Sequence, residues 1–498
     1  MVLEYLLLLI SVLLLIRFGR AQSKKLNLPP SPSKLPIIGN MHQLGEFSHN
    51  SFLNLSRKYG KILLVHLAKS PWVIISSPDI AREIMKTHDN EFANRPVLTA
   101  ANVFFYGYTD VSFAPNSEYW RQVRKLFVQE LLNAKRILSF KYVREEEITL
   151  VIENISRSCS SQTPVNLSEI VLTFTNNLVC RCSISTKSVE GNSRFGELSR
   201  EVVTLMSTFS FQDFSPVLGW IDSLTGLRKK VRSVYQEIDT FFEKVIDEHV
   251  SRSQQDDSKK DFLDLLLHGQ VEYNISRDNI KALLMDIFVG GTETAATAME
   301  WSMAELMKKP HLMKKAQEEV RRVVGTKSHV SEEDIHQMEY LRCIIKEVLR
   351  LHPPISMLVP RVSYTTANVL GYDIPANTIV LINAYAIQRD PELWENAEEF
   401  IPERFSNDNN DFRGQDYKFM PFGSGRRTCP GMGFAIIVVE TVVANFLFHF
   451  DWKLPGDVVD LDMGEAPGMN VNRESHFILF QYLAALFIVD NVICCVYY

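Results

Sequence analysis

The sequence predicts a mainly α-helical fold with small β-sheets, and two patterns carry that expectation. Apolar residues recur at spacings of three and four in "SFLNLSRKYG", "YWRQVRKLFVQELL", "DNIKALLMDIFVGG", "TAMEWSMAELMKKP" and "YLRCIIKEVLRLHP", which gathers them on one face of a helix. Between turn signals lie short runs of strand character, "ILLVHLA", "WVIISS", "NVLGYDIPA" and "TIVLINAY". With 498 residues, 46% of them hydrophobic, the chain can bury a large core, and one big α-rich domain accommodates it. A formal charge of -6 is mild for this length and gives no reason to expect nucleic acid as a partner. The 7 cysteines are odd in number and irregularly spaced, which argues against a disulfide framework and for a reducing compartment.

Taken in chain order, the first 20 residues, "MVLEYLLLLISVLLLIRFGR", are apolar from Tyr5 to Ile16 except for Ser11. They read as a membrane segment. Gly19 and Ala21 could mark a cleaved secretory signal. However, Arg17, Arg20, Lys24 and Lys25 follow the apolar run, so the positive-inside rule leaves the rest of the chain in the cytosol and favours a signal anchor over 1–20. Residues 21–36 form a basic linker with prolines at 29, 30, 32 and 36, which stiffen extended backbone. The globular body is expected over 37–480. Within it "SRSQQDDSKKD" at 251–261 reads as an exposed connection, because helical patterning resumes at once. From 481 to 498 "QYLAALFIVDNVICCVYY" is an apolar tail in which Asp490 and Asn491 argue against a second span.

One cysteine stands apart. In "PFGSGRRTCPGMG", at 421–433, Cys429 sits in a glycine-rich loop before the apolar helical run "FAIIVVETVVANFLF". Pro430 suits the first turn of that helix, whose amide donors and dipole favour a thiolate. No second cysteine or histidine lies at zinc or iron–sulfur spacing. A lone thiolate ligand suggests a metal whose other positions are already filled, and haem is the obvious candidate. The loop glycines would let backbone approach a flat macrocycle, and an arginine would meet its carboxylate. A buried structural cysteine in a turn is the competing reading.

Phe422, Gly425, Arg427, Cys429 and Gly431 fit FxxGxRxCxG, and four further motifs follow the same order. On these residues the chain, over about 30–475, resembles the cytochrome P-450 superfamily, and "FIPERF" with "PFGSGRRTCPG" resembles its plant A-type microsomal enzymes of specialised metabolism. The resemblance implies a fold in which haem b lies between a long central helix and the cysteine-loop helix, with Cys429 as the axial ligand of its iron. Trp120 and Arg124 in "YWRQVRK" share a helix face, and the resemblance implies that they meet a haem propionate, as does Arg361 in "VPR". Glu347 and Arg350 match ExxR; with Arg404 of "PERF" they are implied to form a buried network bracing the cysteine loop.

In "FVGGTETAAT" the adjacent Gly290 and Gly291 interrupt a helical pattern at roughly 1 kcal/mol each. Close helix packing would explain them, as would the family's oxygen site, in which Glu293 and Thr294 match the acid and alcohol that deliver protons. Ala295 departs from the usual Thr or Ser. A pocket is implied over "TAANVFFYG", including Val103 and Phe104, and at Phe288, Val289, Gly290, Ile355, Val359 and Met469. Its apolar lining suits a terpenoid or a monoterpene indole alkaloid. The implied activity is a monooxygenase using O2 and electrons from NADPH through a separate NADPH–cytochrome reductase, on the endoplasmic reticulum membrane, single-pass and facing the cytosol. Two rivals are an oxygen-independent isomerase or dehydratase, against which Glu293 and Thr294 argue, and a non-catalytic haem protein. Arg121 and Lys125, one turn apart, with Arg426 and Lys418 beside the cysteine loop, offer a basic patch for the reductase.

Overall fold

The computed structural model describes residues 26–186, 193–251, 260–406, 412–455 and 461–484. The expected anchor, the start of the linker, most of the 251–261 connection and the tail beyond 484 lie outside the described residues. Helices dominate the rest, and all five quoted helical patterns form helices. They are α1 (Ser48–Tyr59), α3 (Glu118–Leu126), α8 (Arg277–Gly291), α9 (Glu293–Lys308) and α11 (Glu339–Leu351). Of the others, those that frame the argument are α2 (Thr99–Phe104), α4 (Lys141–Ser160), α5 (Leu167–Ile184), α6 (Ser193–Ser207), α7 (Leu227–Ser251), α10 (Pro310–Val324) and α12 (Met432–His449).

Local chemistry sets the ends of these helices. Ser276 and Asn279 form a reciprocal capping box that starts α8, and the Ser117 hydroxyl accepts from the Trp120 N–H to start α3. In the middle of the molecule α8 and α9 are nearly one helix, broken at Thr292 (φ -95°, ψ -77°). The two glycines before the break have different reasons. A Cβ on Gly291 would come 3.1 Å from Val179 Cγ2 of α5, so Gly291 answers to helix packing; a Cβ on Gly290 would meet nothing within 4 Å. Every residue of α9 from Ala295 to Leu306 is buried, because α5, α11 and α12 pack around it. By length and composition α12 could cross a membrane, yet 61% of it is buried inside the fold; it is a core helix.

The sheets are small, as expected. Strands β1 (Ile62–Leu67), β2 (Ser70–Ile75), β4 (Arg361–Val362) and β7 (Ile379–Ile382) form a sheet in the order β1-β2-β7-β4. Strands β5 (Ala367–Val369) and β6 (Tyr372–Ile374) form a hairpin, and β3 (Val165–Asn166), β8 (Phe450–Lys453) and β9 (Ile478–Leu483) form a third sheet, ordered β3-β9-β8. The quoted strand patterns correspond to β1, β2, β5, β6 and β7. Leu483 pairs with Phe450, so β9 runs across the boundary expected at 480.

Candidate functional site

The cysteine loop folds back on itself: the Cys429 N–H donates to the Phe422 carbonyl at 3.0 Å. Helix α12 begins at Met432 with Gly431 as its N-cap, so Pro430 lies in the turn before the helix and not in its first turn. Gly425 has φ +72°, and a Cβ there would lie 2.2 Å from the Met85 carbonyl oxygen. Its glycine therefore lets the loop press against the 83–87 turn, a different reason from approach to a flat group. Burial pushes the Cys429 thiol up, against the downward pull of the Gly431 N–H, Arg124 and the Met432 N–H. Dehydration outweighs the helix start, so the expected thiolate is not set by the loop alone. A metal cation on the sulfur reverses that balance.

Around the loop four arginines converge. Arg124 of α3 donates to the Thr428 carbonyl. Arg427 donates to the carbonyls of Ala93 (2.9 Å), Val111 (3.0 Å) and Ala114 (2.5 Å), with its guanidinium 4.0 Å from the Trp120 ring centroid. Trp120 Nε1 donates to the Val111 carbonyl at 2.9 Å. Arg361 binds Asp89 at 2.9 Å and the Ser424 carbonyl at 3.0 Å. Arg95, which the sequence reading passed over, donates to Ser112, Val359 and Pro360 carbonyls. Burial lowers the pKa of each; Arg427 falls to about 9, lowered further by Arg361 and Arg124. Arg361 is buried and paired with Asp89, whereas Arg95, Arg124 and Arg427 are half-buried and bonded to backbone carbonyls, which carry no net charge, so these three cations suit a ligand with anionic groups.

Across the fold, the break between α8 and α9 holds the expected acid and alcohol. Thr294 Oγ1 donates to the Gly290 carbonyl at 2.7 Å. Asn470 Nδ2 donates to Glu293 Oε2 at 2.7 Å, and burial raises the Glu293 pKa while Asn470, Arg200 and Asn472 pull it back. Asn472 also accepts from Thr297. The resemblance implies a pocket stretch over 468–471 that includes Asn470, but not the bond of Asn470 to Glu293 nor the part of Asn472, for which the alternation in "GMNVN" is the one local signal. The same loop bonds through the Val471 N–H to the Pro354 carbonyl at 2.9 Å, which brings Met469 towards the segment holding Ile355 and Val359. Ile355, Val359, Met469, Val103 and Val289 are half-buried. Phe104 and Phe288 are fully buried, and Phe288 stacks on Phe242 of α7 at 6.0 Å.

Beneath the loop, Glu347 and Arg350 are both 0% exposed. Arg350 grips Glu347 through two bonds of 2.7 Å, and Arg404 Nε reaches Glu347 Oε1 at 2.9 Å. The three residues are thus brought together as expected. Gln388 extends the network: its side-chain amide donates to the Leu349 and Arg350 carbonyls, and its Oε1 accepts from the Met420 N–H at 3.0 Å. Met420 immediately precedes "PFGSGRRTC".

A cytochrome P450 family model matches residues 29–480. Desmethylyatein synthase from Sinopodophyllum hexandrum is 48% identical over 92% of this chain and 94% of its own. A phenylacetaldehyde oxime monooxygenase from Prunus mume is 44% identical over 94% and 92%, and strychnine-11-hydroxylase from Strychnos nux-vomica 41% identical over 93% of each chain. Family members use haem b and NADPH electrons delivered by a reductase. The residues present fit that group: one cysteine at a helix start, and a largely half-buried arginine cluster suited to its propionates. The chain belongs to the cytochrome P450 family, as a haem b monooxygenase similar to the plant A-type members.

Proposed function

We propose that the enzyme hydroxylates or oxidatively cyclises a hydrophobic plant metabolite, a monoterpene indole alkaloid or a terpenoid. The observation that carries this reading is the acid and alcohol side by side at the helix break, Glu293 held by Asn470 and Thr294 by the Gly290 carbonyl. Cys429 would hold haem, with Trp120, Arg124, Arg361 and Arg427 beside it and Phe422 and Gly431 in the loop, and the bound group would supply oxygen activation. The rest is done by the chain's own groups. Glu293, its pKa raised by burial, is the acid that would give and regain a proton. Thr294, one residue on, can turn its hydroxyl from the Gly290 carbonyl and pass that proton inward. The apolar lining keeps bulk water out. The Strychnos relatives, strychnine-11-hydroxylase and norfluorocurarine oxidase, favour an alkaloid.

Microsomes carrying the enzyme, screened against alkaloids and terpenoids by mass spectrometry, should give a product that needs both NADPH and oxygen. Product formed without either supports the isomerase or dehydratase instead. Thr294→Ala should retain haem and substrate binding but divert electrons to peroxide, lowering product per NADPH by up to about 10²-fold. Unchanged product per NADPH would remove Thr294 from proton delivery.

The proposed location is the endoplasmic reticulum membrane, with the body on the cytosolic side of the 1–20 anchor. Leu26, Leu28, Leu35 and Ile37, the first described residues after it, include exposed apolar side chains, with Ile37 at 81%, as a surface resting on a bilayer requires. For the reductase, Arg121 and Lys125 are exposed on α3 and Arg426 is exposed beside the loop. Lys418 is drawn aside, half-buried with Asp416 at 3.2 Å and the Trp394 ring at 5.4 Å. Reversing Arg121 and Lys125 to Glu should slow reduction roughly tenfold at low salt and less at high salt, with haem content intact. Stopped-flow reduction that is unaltered at low salt would leave the patch without this role.

A further inference from the structure

Away from the cysteine loop, a cavity of about 360 Å³ opens where three helix ends meet. Helices α9 and α11 finish there, at Lys308 and Leu351, and α1 begins there after Phe47. Glu305 stands in its wall, more than three turns of α9 beyond Glu293 and about 18 Å from it along the helix axis. The cavity is therefore separate from the acid and alcohol of the helix break.

Two polar atoms of the residues that line it have no hydrogen-bond partner among the described residues, Nδ1 of His352 and Nε of Arg389. Both residues are more than nine-tenths buried, at 6% and 8% exposure. The rest of each side chain is committed. The His352 ring stacks on Trp301 with centroids 3.9 Å apart, and its Nε2 lies 2.8 Å from Glu305 Oε1. Burial lowers the His352 pKa despite Glu305, so Nε2 carries the one proton of a neutral ring and Nδ1 presents a lone pair. Arg389 donates to Glu398 and, at 2.8 Å, to the Leu351 carbonyl, and its guanidinium lies 4.3 Å from the Tyr385 ring centroid. Its Nε–H is left as a donor. Buried polar groups are almost always bonded, so a free acceptor and a free donor on one wall point to a ligand group that is both, as a hydroxyl is.

The charges of the cavity select the rest of the ligand. Burial works against ionisation of Glu305 and Glu465, but bonds from His352 and from His49, the latter at 2.9 Å, hold both pKa values below the usual one. Arg389 is offset by Glu398, which leaves these two carboxylates against Lys308 alone. The carbonyl ends of α9 and α11 add negative potential, and the opposing N-terminal turn of α1 already engages Glu465 through His49. Phe47 and Tyr385 supply aromatic surface of the kind that receives organic cations.

We infer that this cavity is a second ligand site, for a small organic ammonium that carries a hydroxyl. Glu305 and Glu465 meet the charge, the two rings flank it, and His352 and Arg389 take the hydroxyl. The volume lies in the range of small-molecule sites. Choline is the probe, because its quaternary nitrogen has no lone pair with which to ligate iron; its uncharged isostere 3,3-dimethyl-1-butanol is the control. Isothermal titration calorimetry of the full-length holoenzyme should show one choline site, the isostere binding at least about tenfold more weakly, and the Soret band should not shift.

Glu465→Gln, which removes the charge but keeps an oxygen for His49, should weaken choline roughly tenfold. Asn50 also lines the cavity, half-buried on α1, and Asn50→Trp should occlude it and abolish binding. Both variants should keep the carbon monoxide band of the parent, which shows that they fold. Absence of choline binding would overturn the site, as would equal affinity for the isostere, choline affinity unchanged in either variant, or a Soret shift that tracks choline and so reports the haem side.

Discussion

Cys429→Ala is expected to abolish the carbon monoxide difference band of the reduced protein and all NADPH-dependent product. Cys180 and Cys182 are buried in α5, where dehydration raises both thiols, Cys180 to about 12, and Cys343 is buried on α11. Among the described residues no other cysteine belongs to the loop before α12. The wild-type loop does not favour a free thiolate, since burial pushes the Cys429 thiol up; a metal cation on the sulfur would offset that cost, because a coordinating thiol is deprotonated. Cys429→His separates ligation from folding: it should restore haem content but move the carbon monoxide band to that of a nitrogen-ligated haem. A wild-type band in either variant would show that the sulfur ligand lies elsewhere.

The sequence made the helices and the cysteine loop legible because both are local. Periodicity over a dozen residues identifies α8, α9 and α11, and five residues within ten specify the loop. What escaped depends on contacts between distant segments. Asn470 meets Glu293 across 177 positions, and Arg95 reaches Val359 across 264; neither spacing leaves a trace in local pattern. Strands β3 and β4 have two residues each, too few to alternate detectably, and exist because a longer partner completes them. The glycines show the same limit. That Gly291 answers to Val179 while Gly290 faces open space follows from how α5 crosses the central helix, and no reading of "FVGGTET" separates the two. Phe104 and Phe288, expected in the pocket, are fully buried, and composition does not separate apolar lining from apolar core.

Glu347→Gln should yield protein that fails to retain haem, although the substitution preserves shape. Arg350 spends all five of its N–H groups: two on Glu347, and the others on the carbonyls of Gln388, Ala397 and Glu399 at 2.7, 2.7 and 3.0 Å. Glu347 Oε1 accepts from Arg350, Arg404 and the Ile401 N–H together. A neutral amide would leave two arginines without their counter-charge and oppose its own N–H groups to their donors. Breaking a buried pair in this way costs about 3–5 kcal/mol, a large part of the roughly 5–15 kcal/mol that separates folded from unfolded chains. The loss is transmitted through Gln388, which holds the Leu349 and Arg350 carbonyls on one side and the Met420 N–H on the other, directly ahead of the cysteine loop. Haem per protein should therefore fall sharply, while any fraction that keeps haem shows a normal carbon monoxide band, because the sulfur itself is untouched. Arg404→Ala should have a smaller effect, since Arg404 is less buried than Arg350 and Glu347 retains its two bonds to Arg350. Full haem content in Glu347→Gln would mean that the network does not brace the loop.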